Sequence, residues 1–106
     1  MEIEFLYFEG CPHHESALQL LKKVMAEEGI VSPVKKIDVV SDSLAQEVRF
    51  AGSPSIRVNG RDIDPDGITE LGFGRKCRIY LVAAGPKGIP SEQSIHSALV
   101  EAKSKG

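Results

Sequence analysis

The run Ile3-Glu4-Phe5-Leu6-Tyr7-Phe8 is apolar on both faces from Phe5 onward, and this constrains the fold more than any other feature of the chain. A half-exposed strand alternates polar and apolar residues, whereas a strand that does not alternate needs cover on both sides. The run therefore predicts a central strand in a sheet with helices above and below it. The chain is large enough for that arrangement. Its 106 residues, 42% hydrophobic and 26% charged, can bury one core without staples, which predicts a single domain over residues 1–106.

Further elements follow from local signals. Pro12 fits the first turn of a helix, where its missing N–H costs nothing. Ala17, Leu18, Leu21, Val24 and Met25 recur at helical spacing, and Gly29 supplies a stop. Val34 to Val40 reads as a second strand. Ser43 with Gln46 predicts a capping box for a short helix through about Phe50. Ser55-Ile56-Arg57-Val58 reads as a third strand before the turn pair Asn59-Gly60. Residues 61–76 form a polar, Gly-rich connection, unusually long for a hairpin. Cys77 to Ala83 predicts a fourth strand, Gly85-Pro86-Lys87-Gly88 a turn, and Ile95, Ala98, Leu99 and Ala102 a final helix from near Ser91. The expected class is α/β, in the order β-α-β-α-β-β-α.

The chemistry-bearing stretch is Gly10-Cys11-Pro12-His13-His14, directly after the first strand. Free backbone N–H groups and the helix dipole at a strand-to-helix junction stabilise a thiolate. The spacing matches C-x-x-C except that His14 replaces the second cysteine, so there is no adjacent dithiol. At i+3 in a helical turn His14 is within reach of the sulfur. As imidazolium it favours the thiolate, and as neutral imidazole it accepts the thiol proton. Thiolate and imidazole together also suit a soft metal ion. His96, on the final helix, is expected to be structural or solvated. A net charge of -2 gives no reason to expect nucleic acid or an anionic membrane as partner. No apolar stretch approaches the roughly 20 residues of a membrane span. With no basic leader at Met1-Glu2-Ile3-Glu4, two cysteines are expected as free thiols in a reducing, cytoplasmic setting.

The element order, with Cys11 after the first strand and Ser53-Pro54 before the third, resembles the thioredoxin-like superfamily in its short, glutaredoxin-like form. The resemblance implies a four-stranded mixed sheet, helices on both faces, and a cis proline at Ser53–Pro54 beside the active cysteine. Glutaredoxins place proline directly after their first cysteine, as at Pro12. Disulfide-introducing oxidases carry C-P-H-C, which Cys11-Pro12-His13 matches before His14 departs. The implied function is monothiol exchange with thiols and disulfides through Cys11, tuned by His14. Pro12, His13, Ser53 and Pro54 would contact an extended substrate, glutathione or a protein. No cofactor or resident metal is implied.

Cys77 is the candidate second thiol. In the inferred fold the fourth strand runs antiparallel to the third, so Cys77 falls at the far end, on the order of 10 Å or more from Cys11. A disulfide needs Cα atoms within roughly 7 Å, so the two are not expected to pair. A buried strand cysteine is the default reading, with Arg75 the only basic neighbour on its face. Cys77-Arg78-Ile79-Tyr80 resembles the C-R-x-Y of small bacterial thioredoxin-like proteins that also carry G-C-P, some described as alkylmercury-lyase-like. That leaves two alternatives: a soft-metal or organomercurial binder using Cys11 with His14 or Cys77, and a non-catalytic interaction module. Asp62-Ile63-Asp64-Pro65-Asp66-Gly67 imitates the start of an EF-hand loop, but Phe73 stands where a bidentate Glu is needed. A solvated acidic turn is expected there.

Overall fold

Strand β1 (Ile3–Tyr7) lies at the centre of the main sheet, parallel to β2 (Val34–Asp38) and antiparallel to β3 (Ser55–Val58). The computed structural model describes residues 1–65, 73–82 and 85–105. As the unbroken apolar run predicts, β1 is covered on both faces. Ile3, Phe5 and Tyr7 join Ile56, Val58 and the buried residues of α1 (His14–Glu27) and α3 (Glu92–Lys105) in one cluster. Leu6 packs on the other face with Val39, Phe50 and Ala45 of α2 (Asp42–Glu47). The result is an α/β fold with a four-stranded mixed open sheet and, among the described residues, three helices.

The fourth strand is not the predicted one. Asn59 and Gly60 both have positive φ, 54° and 79°, the geometry of a two-residue hairpin turn. The chain reverses at once, and β4 (Arg61–Asp62) pairs antiparallel with β3, closing the sheet order β2-β1-β3-β4. The start of the predicted long connection is therefore a strand. The predicted strand from Cys77 begins at Tyr80 as β5 (Tyr80–Val82) and pairs outside the main sheet with β6 (Gly85–Lys87). Residues 85–87, read as part of a turn, are that partner strand. Ala83 lies outside the described residues.

Smaller corrections concern helix starts. Helix α1 begins at His14, and its entering backbone bond runs from Ala17 N–H to the His13 carbonyl at 3.2 Å. Pro12 precedes it, within a turn region where the Cys11 N–H donates to Phe8 O at 3.1 Å. Helix α2 is capped by Ser41 instead of Ser43. Ser41 is extended, at φ -151° and ψ 160°, and its hydroxyl accepts the Leu44 N–H at 3.1 Å, as an N-cap requires. Gln46, freed from the expected capping box, donates its side-chain amide to Phe73 O at 2.7 Å. The Gly29 stop and the start of α3 after Ser91 are as expected, with Gly29 at φ 68° and Ser91 Oγ accepting Ser94 N–H. Among the described residues no helix is long and apolar enough to cross a membrane.

Candidate functional site

The turn between β1 and α1 buries Cys11, which is 1% exposed. Its thiol donates to the Ser53 carbonyl at 3.5 Å. The Ser53–Pro54 bond is cis, as expected, and it immediately precedes β3. Ser53 also lies in an isolated parallel bridge with Cys77. Its N–H donates to Lys76 O at 2.7 Å, and its carbonyl accepts the Arg78 N–H at 2.9 Å. The backbone groups expected to align a substrate are thus engaged by the chain's own residues 76–78.

This overturns the expected position of Cys77. The sequence pattern puts it at the far end of β3 by giving the fourth strand to its segment. With β4 filling that place, residues 76–78 pair instead at the start of β3, on the Cys11 side. Cys77 is also exposed, not a buried strand cysteine, and both cysteines are free thiols. The two sulfurs interact. Desolvation pushes the Cys77 thiol above its ordinary value, and a hydrogen bond with Cys11 and the Cys11 charge push it further. In the folded protein Cys77 therefore holds its proton more tightly than an ordinary thiol does.

Arg78 fixes this segment. Its side chain is buried and makes a two-armed contact with Asp62, at 2.7 and 2.9 Å. The same guanidinium donates to Ser55 Oγ at 3.1 Å and to Asp64 O at 2.9 Å, and lies 4.5 Å from the Tyr80 ring centroid. Desolvation opposes the charge, but the Asp62 hydrogen bond and the charges of Asp62 and Asp64 outweigh it and raise the Arg78 pKa. Burial pushes the Tyr80 hydroxyl up strongly, and that hydroxyl donates to Pro54 O at 2.6 Å. Gly52, at φ 124°, allows the close approach: a β-carbon there would stand 2.9 Å from the Arg78 Cβ. Asp62, read as part of a solvated acidic turn, is instead the partner of a buried cation; Asp66 and Gly67 lie outside the described residues. Sequence reasoning missed this lock. The available signal was an arginine in an otherwise apolar strand pattern, since a buried guanidinium needs a carboxylate.

The histidines separate. His14 stacks on Tyr7 with ring centroids 4.9 Å apart and makes no hydrogen bond among the described residues. His13 instead joins Cys77, Arg78, Ile79, Lys87 and Gly88 around a cleft of about 260 Å³. Gly88 lets the β6 end approach, because a β-carbon there would overlap the His13 ring. Arg75, expected beside Cys77, donates to Val39 O and lies over the Phe8 ring. His96 is paired through both ring nitrogens, with Glu27 at 3.1 Å and Glu28 at 2.9 Å. Glu27, Glu92 and His96 bring potential ligand atoms within 4.8 Å of one another, but Lys23 binds Glu92 at 2.7 Å, so the group reads as an ion-pair network. A larger cavity, about 460 Å³ between the β3–β4 turn and α3, includes Val58, Asp62 and Ala98 and has no cysteine in its wall.

The site thus brings together Cys11, His13, Ser53, Pro54 and Cys77, and leaves His14 on Tyr7. Two thiols placed about one residue's backbone can join as a disulfide by giving two electrons to an external oxidant, or jointly hold a soft cation. No family model, curated protein or solved structure matches this chain.

Proposed function

We propose that the chain is a thioredoxin-like redox protein that exchanges thiols and disulfides, with Cys11 and Cys77 as its reversible pair. The thioredoxin-like reading rests on the element order, the central β1, and Pro54 opening β3 beside Cys11. The observation that carries the function is the placement of both cysteines on Ser53: the Cys11 thiol donates to its carbonyl, and Cys77 forms a backbone bridge with it. Cys77 replaces the vicinal thiol that His14 displaces, so the expected monothiol becomes a dithiol assembled from distant parts of the chain. In its reduced form the pair gives two electrons to a disulfide R–S–S–R′, which leaves as two thiols, and the protein is left with a Cys11–Cys77 bond. An external thiol reductant restores the pair. Pro12, His13, Ser53 and Pro54 shape the surroundings of the sulfurs, and His14 contributes only through its stack on Tyr7.

Oxidation of the folded protein by diamide tests this. The expected product is a monomer lighter by two hydrogen atoms, absent in Cys11→Ser and in Cys77→Ser. Failure of the two sulfurs to join in the folded protein would overturn the reading. The same pair supports a second reading as a soft-cation site, because two sulfur donors lie together. Silver(I) titration should then give one site per chain that either substitution removes.

A further inference from the structure

We infer that Cys77, not Cys11, is the sulfur that bonds to the substrate, and that Cys11 acts behind it as the buried counter-thiol. The inference rests on the dithiol reading above and assigns the two roles within it. Access decides the order of events. Cys11 is 1% exposed, beneath a segment fastened by both backbone bonds of Ser53 and by the Arg78–Asp62 contact. Cys77 is exposed and opens on the cleft with His13, Ile79, Lys87 and Gly88, a cleft that Cys11 does not line. An incoming sulfur reaches Cys77 without disturbing the fold, whereas reaching Cys11 requires stripping residues 76–78 from Ser53.

The exchange proceeds in two balanced steps. Cys77 loses its proton to solvent and attacks R–S–S–R′; the Cys77–SR bond forms, the substrate S–S bond breaks, and R′S⁻ leaves and takes a proton. Cys11 then gives up the proton it shares with the Ser53 carbonyl and attacks the Cys77 sulfur; the Cys11–Cys77 bond forms, the Cys77–SR bond breaks, and RS⁻ leaves and takes a proton. Thiol–disulfide exchange aligns three sulfurs, so RS⁻ departs on the side away from Cys11, into the cleft. The Lys87 ammonium and the His13 ring are there to meet the departing charge. In the return direction a reductant thiolate enters at Cys77 and expels Cys11 as the charged leaving group. A second reductant thiolate then attacks the reductant sulfur of that mixed disulfide, frees Cys77, and leaves with it as the oxidised reductant.

Trapping with 5,5′-dithiobis(2-nitrobenzoate) tests the assignment. Cys11→Ser, which keeps Cys77, should form a stable mixed disulfide promptly. Cys77→Ser, which keeps Cys11 and the backbone bonds over it, should react at least about ten-fold more slowly in native buffer and equally fast in denaturant. Peptide mapping of wild type, reduced and treated with substoichiometric reagent, adds a readout that does not depend on either variant folding: Cys77 should carry any adduct trapped before the internal disulfide closes. Equal native rates, or adduct on Cys11, would overturn the assignment while leaving the dithiol reading intact if diamide still joins the pair. A prompt Cys77 adduct without any Cys11–Cys77 disulfide would instead sink the dithiol reading, and with it the role given to Cys11.

Discussion

Cys11 is positioned by its own turn and by burial. Its N–H donates to Phe8 O, its side chain is among the buried core residues, and its thiol makes one longer-range bond, to the Ser53 carbonyl. Cys77 is positioned by contacts far away in the chain: its neighbour Arg78 reaches Asp62, Asp64 and Ser55, and the Tyr80 hydroxyl reaches Pro54. One thiol is seated by hydrophobic packing, which is non-directional and tolerant. The other depends on a buried ion pair and directed hydrogen bonds, which fail sharply when one partner is removed. The same difference divides the sulfurs chemically, because the packed one is covered and the tethered one is open.

The largest test of this contrast is Arg78→Leu. It leaves the Asp62 carboxylate, 7% exposed, without its cation, and such a loss costs about 3–5 kcal/mol. The denaturation midpoint should fall accordingly, and Cys11 should gain reactivity toward thiol reagents as residues 76–78 loosen. Arg78→Leu with Asp62→Leu should recover much of the loss, because no charge is then stranded. A single variant as stable as wild type would refute the tether. Tyr80→Phe is the next probe. It strips a 2.6 Å hydrogen bond from the buried Pro54 carbonyl, a loss worth about 1–3 kcal/mol, measurable by urea unfolding.

The same contrast explains what could be read from the sequence. The central β1 and the Gly29 stop each follow from a pattern within a few residues, and the cis Ser53–Pro54 bond follows from the resemblance that the element order carries. Cys77 did not, because its place depends on which segment fills the edge of β3. Asn59-Gly60 folds Arg61 and Asp62 back immediately, although the pair was read as a turn opening a longer connection. Once β4 takes that edge, residues 76–78 bridge to Ser53, 16 positions after Asp62 for Arg78. No periodicity encodes that choice; it is made by a cation needing a carboxylate.

The pH dependence sharpens the contrast between the sulfurs. Folding raises the Cys77 pKa, so the folded state holds this proton more tightly than the unfolded chain. The associated stability is complete below the ordinary thiol value and falls as pH rises through the raised one. Iodoacetamide labelling of Cys77 should climb only above the ordinary value. In Cys11→Ser the hydrogen bond and charge from Cys11 vanish while desolvation remains, so the labelling profile should move to lower pH. An unchanged profile would mean that the sulfurs do not sense each other.

The smallest effect is expected at His14. Sequence spacing makes it the tuner of Cys11, yet its ring lies on Tyr7. Replacing it with Ala should remove a partly exposed aromatic contact worth about 0.5–1 kcal/mol, read as a slight fall in unfolding midpoint. The labelling profiles of both cysteines should stay where they are in wild type. His13→Ala is the companion measurement, because that ring borders the cleft on which Cys77 opens. Removing it should widen the cleft and change the rate at Cys77 without altering Cys11. If His14→Ala moved the thiol profile while His13→Ala did not, the turn would tune its sulfur locally, and the division between a packed thiol and a tethered one would no longer account for the site.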